Sequence, residues 1–114
     1  MSFFDSEVVR SEMAEISELQ EDLYKNVFKF PTMTDDEKIS HVDLMQKLLN
    51  KQQVLYTRLS LSDDPEAIEM KNKVIQSAVM MGLPENMDMN IIFNNMSRLI
   101  DTMRESIDNE KLKE

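Results

Sequence analysis

The stretch from Thr34 to Pro65 constrains the fold more than any other, because a start signal, an apolar seam and a stop signal lie in a single run. Thr34, with Glu37 three residues on, fits a capping box: the threonine oxygen takes a backbone N–H of the first turn, and the glutamate reaches back to the threonine N–H. Asp35, Asp36 and Glu37 stand where the helix dipole favours negative charge. Val42, Met45, Leu49, Tyr56 and Leu59 follow at steps of three and four, with Gln52 in the gap and Leu44, Leu48 and Leu55 widening the stripe. The pattern predicts one helix over residues 35–60. It would be about 38 Å long, more than a compact domain of this size is wide, so it suits a long hairpin or an oligomer.

A chain of 114 residues suffices for one domain with a modest core. With one glycine and three prolines it has few means of making the tight turns that many short strands require, so an all-α fold is expected. No cysteine is present, which excludes a disulfide framework, a thiolate nucleophile and a thiolate metal site, and suits a reducing compartment. No window approaches a membrane span, and the first residues lack the basic and apolar regions of a signal peptide, so a soluble, cytoplasmic protein is expected. A net charge of −9 argues against direct binding to a nucleic-acid backbone, which needs clustered lysine and arginine.

Further helices flank the first. Asp5 is placed to cap a helix running to Lys29, with Phe4 closing on Val9 as a hydrophobic staple. Val9, Met13, Ile16, Leu23, Val27 and Phe30 keep a heptad rhythm interrupted at Gln20, as a short coiled coil or an ordinary bundle helix would. Pro31 ends that pattern, and Pro31 to Met33 is read as a short connection making the two helices antiparallel neighbours. Asp64 before Pro65 starts a third helix over 65–81, and Gly82, Leu83 and Pro84 stop it through a left-handed glycine. A fourth helix is expected from Asp88 to Asp108, with Met89, Ile92, Met96, Leu99, Met103 and Ile107 on its seam and Phe93 and Ile100 beside it. Residues 1–108 then form a single helical domain, and 109–114 a frayed tail. The first two helices make a long hairpin; the other pair packs across one end or exchanges with a second subunit.

Charge is unevenly spread along this hairpin. Residues 5–30 hold seven acids against three bases, whereas Lys47, Lys51 and Arg58 form a basic stripe on the second helix. Two readings of the stripe stand side by side. It lies along Glu12, Glu15, Glu18 and Asp22 and helps set hairpin register, or it docks an acidic partner. Phe3 and Phe4 carry the same pair of readings, as locks on the first turn or as anchors for a partner. Phe3, Phe4, Lys47, Lys51 and Arg58 are therefore the candidate partner-binding residues.

His41 is the single histidine, short of the count that a carboxylate-bridged metal bundle needs, and is read as a surface or boundary residue. One glycine cannot build a phosphate-cradling loop, a nucleophile elbow or a dinucleotide fingerprint. Asp63 and Asp64 are read as capping groups, since the calcium-loop pattern does not follow them. Twenty-two acids guarantee coincidental carboxylate pairs, so none is singled out as a general acid. No cofactor is expected. Eleven methionines fit core filling, although Met80, Met81, Met87 and Met89 around the third connection would also make an adaptable contact surface.

Phe3-Phe4-Asp5-Ser6-Glu7-Val8-Val9, the turn Arg58-Leu59-Ser60-Leu61-Ser62-Asp63-Asp64, and Met81-Gly82-Leu83 followed by Phe93-Asn94-Asn95-Met96 together carry a resemblance. Over residues 2–108 the chain resembles a group of small helical proteins of unknown function from cyanobacteria and their tailed phages, departing from it mainly between Lys29 and Lys38. The resemblance implies a cytoplasmic protein of a photosynthetic bacterium or of a virus infecting one. It brings no activity and no site residues. The expectation for function is a non-enzymatic, homo-oligomeric protein that binds another protein. The alternative is an acidic regulator that occupies the basic nucleic-acid-binding surface of a polymerase or similar target.

Overall fold

A computed structural model of the chain describes residues 3–80, 82–84 and 88–113. Four α-helices, and no strand among the described residues, make up the all-α fold: α1 (Glu7–Asn26), α2 (Asp35–Leu61), α3 (Pro65–Met80) and α4 (Met89–Lys113). Short 3-10 segments occupy Phe3–Asp5 and Val27–Thr32.

The helix starts follow local side-chain chemistry. At Thr34 the capping box is complete: Glu37 N–H donates to Thr34 Oγ1 at 3.2 Å, and Thr34 N–H donates to Glu37 Oε1 at 3.3 Å. Asp64 caps α3 by accepting from Glu66 N–H at 2.9 Å, with Pro65 in the first helical position, and Asp88 caps α4 by accepting from Asn90 N–H at 2.9 Å. The stop of α3 is a Schellman motif around Gly82, whose φ is +97°. Leu83 N–H reaches Ala78 O at 3.1 Å and Gly82 N–H reaches Val79 O at 2.9 Å, which satisfies two of the last carbonyls.

Both ends of α1 differ from expectation. Ser6, not Asp5, is the cap, its hydroxyl accepting from Val9 N–H at 3.5 Å, because Phe3–Asp5 is already committed to a 3-10 turn closed by Ser6 N–H on Phe3 O. That turn also removes Phe4 from the staple position, which would need it immediately before the cap. Helix α1 stops at Asn26, not Lys29, and the chain tightens into 3-10 geometry through Pro31. A continued α-helix would drive the Pro31 ring into the carbonyl of Val27, so the change of winding precedes the proline.

Helix α2 is the centre of the molecule. On one side α1 runs antiparallel to it, burying Ile16 and Leu19 against Leu48, with Leu23, Leu44 and Leu55 around them. On the other side α4 runs antiparallel along nearly its whole length, burying Phe93, Ile100 and Ile107 against Val42 and Leu49. Each such side chain contributes about 1.5–3 kcal/mol when fully buried. Helix α3 packs near the end of α2, and Phe3 N–H donates to the Asp64 carboxylate there, tying the 3-10 turn to the start of α3.

Three expectations about the fourth helix are corrected. It does not pack across one end of the hairpin: its 25 residues follow α2. The segment expected to be frayed continues as helix through Lys113, and Lys111 pairs with Asp36 in the first turn of α2. The packed stripe is also rotated from the expected seam. Phe93, Ile100 and Ile107 are buried, whereas Met96 and Leu99 are exposed. His41, expected at the surface or the boundary, is buried, with the Phe30 ring 5.4 Å from its own and Leu23, Val27, Met45 and Met103 around it. The result is long and thin, 55 × 31 × 20 Å, with a radius of gyration of 16.5 Å where a compact domain of this length has about 13 Å.

Candidate functional site

Three helices side by side leave two faces. At 100° per residue, Asp43, Lys47, Asn50 and Thr57 fall on one side of α2, and all are exposed. His41, Met45, Gln52, Tyr56 and Leu59 fall on the opposite side, where they form the floor of a trough walled by α1 and α4. The trough holds two apolar cavities.

The deeper cavity, about 540 Å³, lies toward the end of α2. Met13 and Ile16 form the α1 wall, Ile92, Phe93 and Met96 the α4 wall, and Met70, Val74 and Ala78 of α3 close the far end with Phe4 and Leu83. Among the described residues no charged side chain lines it; Gln52, Ser77 and Tyr56 supply its polar atoms. The Tyr56 and Phe93 rings meet at 5.9 Å and fix the α2–α4 corner. A smaller cavity of about 180 Å³ continues the trough toward the hairpin tip, among Leu23, Val27, Phe30, His41, Met45 and Met103. Burial pushes the His41 pKa below its ordinary value by disfavouring the charged imidazole.

Exposed apolar groups stand on the same helices. Met96 and Leu99 stand on the α4 wall at 45% and 66% exposure, and Tyr24 on α1 at 68%. Phe28, beside the tip, is 92% exposed. Of these, Met96 lines the larger cavity; Leu99, Tyr24 and Phe28 are exposed apolar residues outside the lining of either cavity.

The structure separates the five residues singled out in the sequence. Arg58 Nε donates to Glu12 Oε1 at 3.1 Å, and Lys51 Nζ bonds to Glu15, so these two cations hold α1 in register against α2. The hydrogen bond from Lys51, then its charge, holds the Glu15 carboxyl below its ordinary pKa, and Lys47 adds a smaller pull in the same direction. Lys47 itself is exposed on the back of α2. Phe3 and Phe4 meet edge to face at 5.1 Å; Phe4 reaches the deeper cavity, and Phe3 is anchored through its N–H at Asp64. Thus the basic stripe and the phenylalanine pair lie in different parts of the molecule, and only Phe4 belongs to the trough.

What sequence reasoning missed is the trough itself. Its signal was present in α4, which is apolar on two adjacent stripes, Phe93/Ile100/Ile107 and Ile92/Met96/Leu99/Met103, and so is wider than one neighbour can cover. Of the methionines noted around the third connection, Met80 is exposed and Met89 lines the cavity, while Met81 and Met87 lie outside the described residues. Among the described residues no group of three His, Cys, Asp or Glu side chains is placed to hold a metal ion, and no helix is long and apolar enough to cross a membrane.

Residues 1–107 match a family model described as a domain of unknown function, DUF1825. The chain belongs to the DUF1825 family. The match ends at Ile107, the last buried residue of the α4 core stripe, so the DUF1825 unit takes in all three walls of the trough. Comparison with curated proteins and with solved structures finds no match.

Proposed function

We propose that this DUF1825 protein is a non-enzymatic interaction protein that self-associates and works by binding another protein through helical surfaces. The observation that carries this reading is the trough over α2: an apolar cavity walled by α1, α3 and α4 whose lining, among the described residues, holds no charged side chain. A site for chemistry gathers a few convergent polar groups with shifted proton affinities. Here the lining is thioether, aliphatic and aromatic apart from Gln52 and Ser77, which suits contact with another apolar surface. The resemblance in Phe3–Val9 and Arg58–Asp64 supports placing the protein in the cytoplasm of a photosynthetic bacterium or of a cell infected by its phage. Light scattering on the purified chain tests the self-association. An oligomer is expected at high micromolar concentration, and a strict monomer there would count against it.

A second reading, an acidic regulator that occupies a basic nucleic-acid-binding surface, draws support from the outer side of α1. Glu18, Glu21 and Asp22 are exposed there and make no ion pair among the described residues. Glu12 and Glu15 cannot test it, since their reversal would break the hairpin pairs with Arg58 and Lys51. Reversing Glu18, Glu21 and Asp22 to lysine should abolish salt-sensitive capture of such a target; unchanged capture would dispose of the idea.

A further inference from the structure

We infer that the hairpin tip is an acid-released latch: the 3-10 segment Val27–Thr32 is held to the helices by Phe30 against the uncharged His41 ring, and comes away as a unit when that ring takes up a proton. The latch does not depend on the self-association proposed above.

The segment has a single anchor. Of its six residues only Phe30 is not exposed; Phe28 stands 92% in solvent. Its hydrogen bonds are local: Met33 N–H donates to Phe30 O at 3.1 Å, and Thr32 Oγ1 donates to Lys29 O at 2.8 Å. Turns of 3-10 geometry also bond less well than an α-helix. A stretch with so few buried contacts opens at a lower free energy than the molecule as a whole.

What the anchor packs on is a titratable group. The Phe30 ring lies 5.4 Å from that of His41, the one buried polar residue among those described. His41 makes no side-chain hydrogen bond among the described residues, and Leu23, Val27, Met45 and Met103 complete the small cavity beside it. Protonation adds a second N–H to satisfy and a charge to solvate, and these neighbours provide for neither. Burial accordingly lowers the His41 pKa.

Surrounding charges do not offset that cost. Helix α1 faces the ring through Leu23 and Asn26, and α4 through Met103, none of them charged. Lys38 Nζ sits over the Phe30 ring, 5.6 Å from its centroid, and so adds a like charge nearby. Asp36 and Glu37 border the opening beside His41, but Lys111 holds Asp36, and Glu37 Oε1 accepts from Thr34 N–H. Release of Phe30 brings water to the imidazole without disturbing Leu48 and Leu49, which bury the middle of α2. It is therefore a less costly route to a solvated proton than unfolding α2. Through a single imidazole, the opening equilibrium shifts by at most about tenfold per pH unit.

The test follows amide exchange of the full chain by NMR at about pH 7.5 and pH 5.5, each corrected for the intrinsic exchange rate. Protection of the Met33 amide, which closes the segment on Phe30 O, should be lower than that of Leu48 and Leu49 at both pH values. It should fall severalfold or more on going to pH 5.5, and His41→Leu should abolish that fall. Met33 protection independent of pH in the unaltered chain would mean that His41 reaches water without the tip opening, which overturns the inference. An equal fall in His41→Leu does the same. A reciprocal measurement holds even where that variant misfolds, because the single histidine gives one imidazole titration. Phe30→Ala, with helicity confirmed by circular dichroism, should return the His41 pKa to its ordinary value. An unmoved pKa would show that Phe30 does not cover the ring, and the latch fails.

Discussion

Lys111, near the end of α4, holds the Asp36 carboxylate in the first turn of α2, across 75 residues of sequence. The hydrogen bond, followed by the lysine charge, keeps the Asp36 pKa below its ordinary value, and the same contact keeps that of Lys111 above its own. A depressed carboxylate stabilises the fold above its unfolded pKa and loses that contribution as pH falls through the folded one. A raised ammonium stabilises below its unfolded pKa and loses that contribution as pH rises. The pair is therefore at full strength between about pH 4 and pH 10. Carboxyl titration followed by NMR should show Asp36 titrating low in the unaltered chain and returning to its ordinary value in Lys111→Ala. An ordinary value in both would mean that the last turns of α4 are not docked.

Adjacent residues on α4 should respond very differently to truncation. Ile100 is 5% exposed against α2, while Leu99 is 66% exposed. Ile100→Ala should cost about 2–5 kcal/mol by urea denaturation, and Leu99→Ala, in solutions dilute enough to separate any copies, no more than about 0.5 kcal/mol. The opposite order would mean that α4 packs on its other apolar stripe.

That contrast shows where sequence reading succeeds and where it stops. Thr34 with Glu37, Asp64 with Pro65, and Gly82 with Leu83 were all legible, because each boundary is decided within about four residues by side-chain and backbone bonds. The hairpin pairs of Glu12 and Glu15 with Arg58 and Lys51 were legible as complementary charge on two predicted helices. The rotation of α4 was not, since two neighbouring stripes are equally apolar and only the position of α2 chooses between them. Burial of His41 and the helical tail depend likewise on what lies across the molecule: α1 and α4 for one, Asp36 for the other. Choosing between Asp5 and Ser6 failed for a smaller reason. Both are good caps, and the 3-10 turn before them shifts the start by one residue.

Gly82 offers a test of pure backbone strain. Its φ of +97° is one that side chains with a Cβ rarely adopt, and an added Cβ would meet nothing within 4 Å. Gly82→Ala should therefore destabilise by about 1–2 kcal/mol without any packing cost, and Gly82→Asn by less, since asparagine tolerates positive φ better. Chemical denaturation of the two variants checks this; an alanine variant as stable as the parent would mean that the Schellman turn is not maintained in solution.

His41 should make the fold sensitive to mild acid. It is 6% exposed, with its ring 5.4 Å from that of Phe30, and burial sets its pKa below the ordinary value. As pH falls below about 6.5 the unfolded chain takes up a proton that the folded chain resists, so the unfolded state binds more protons and stability decreases. The contribution is complete above that pH and is lost progressively until the folded imidazole also titrates. Asp36 and Glu37 border the opening beside the ring; the Asp36 charge is already engaged by Lys111, so it does little to oppose this loss. Thermal melts at about pH 7.5 and pH 5.5 should show a larger drop in Tm for the unaltered chain than for His41→Leu, which keeps the apolar packing and removes the proton. Parallel drops in the two proteins would show that the imidazole is solvated and that the cavity beside Met45 and Met103 is open to water at that end.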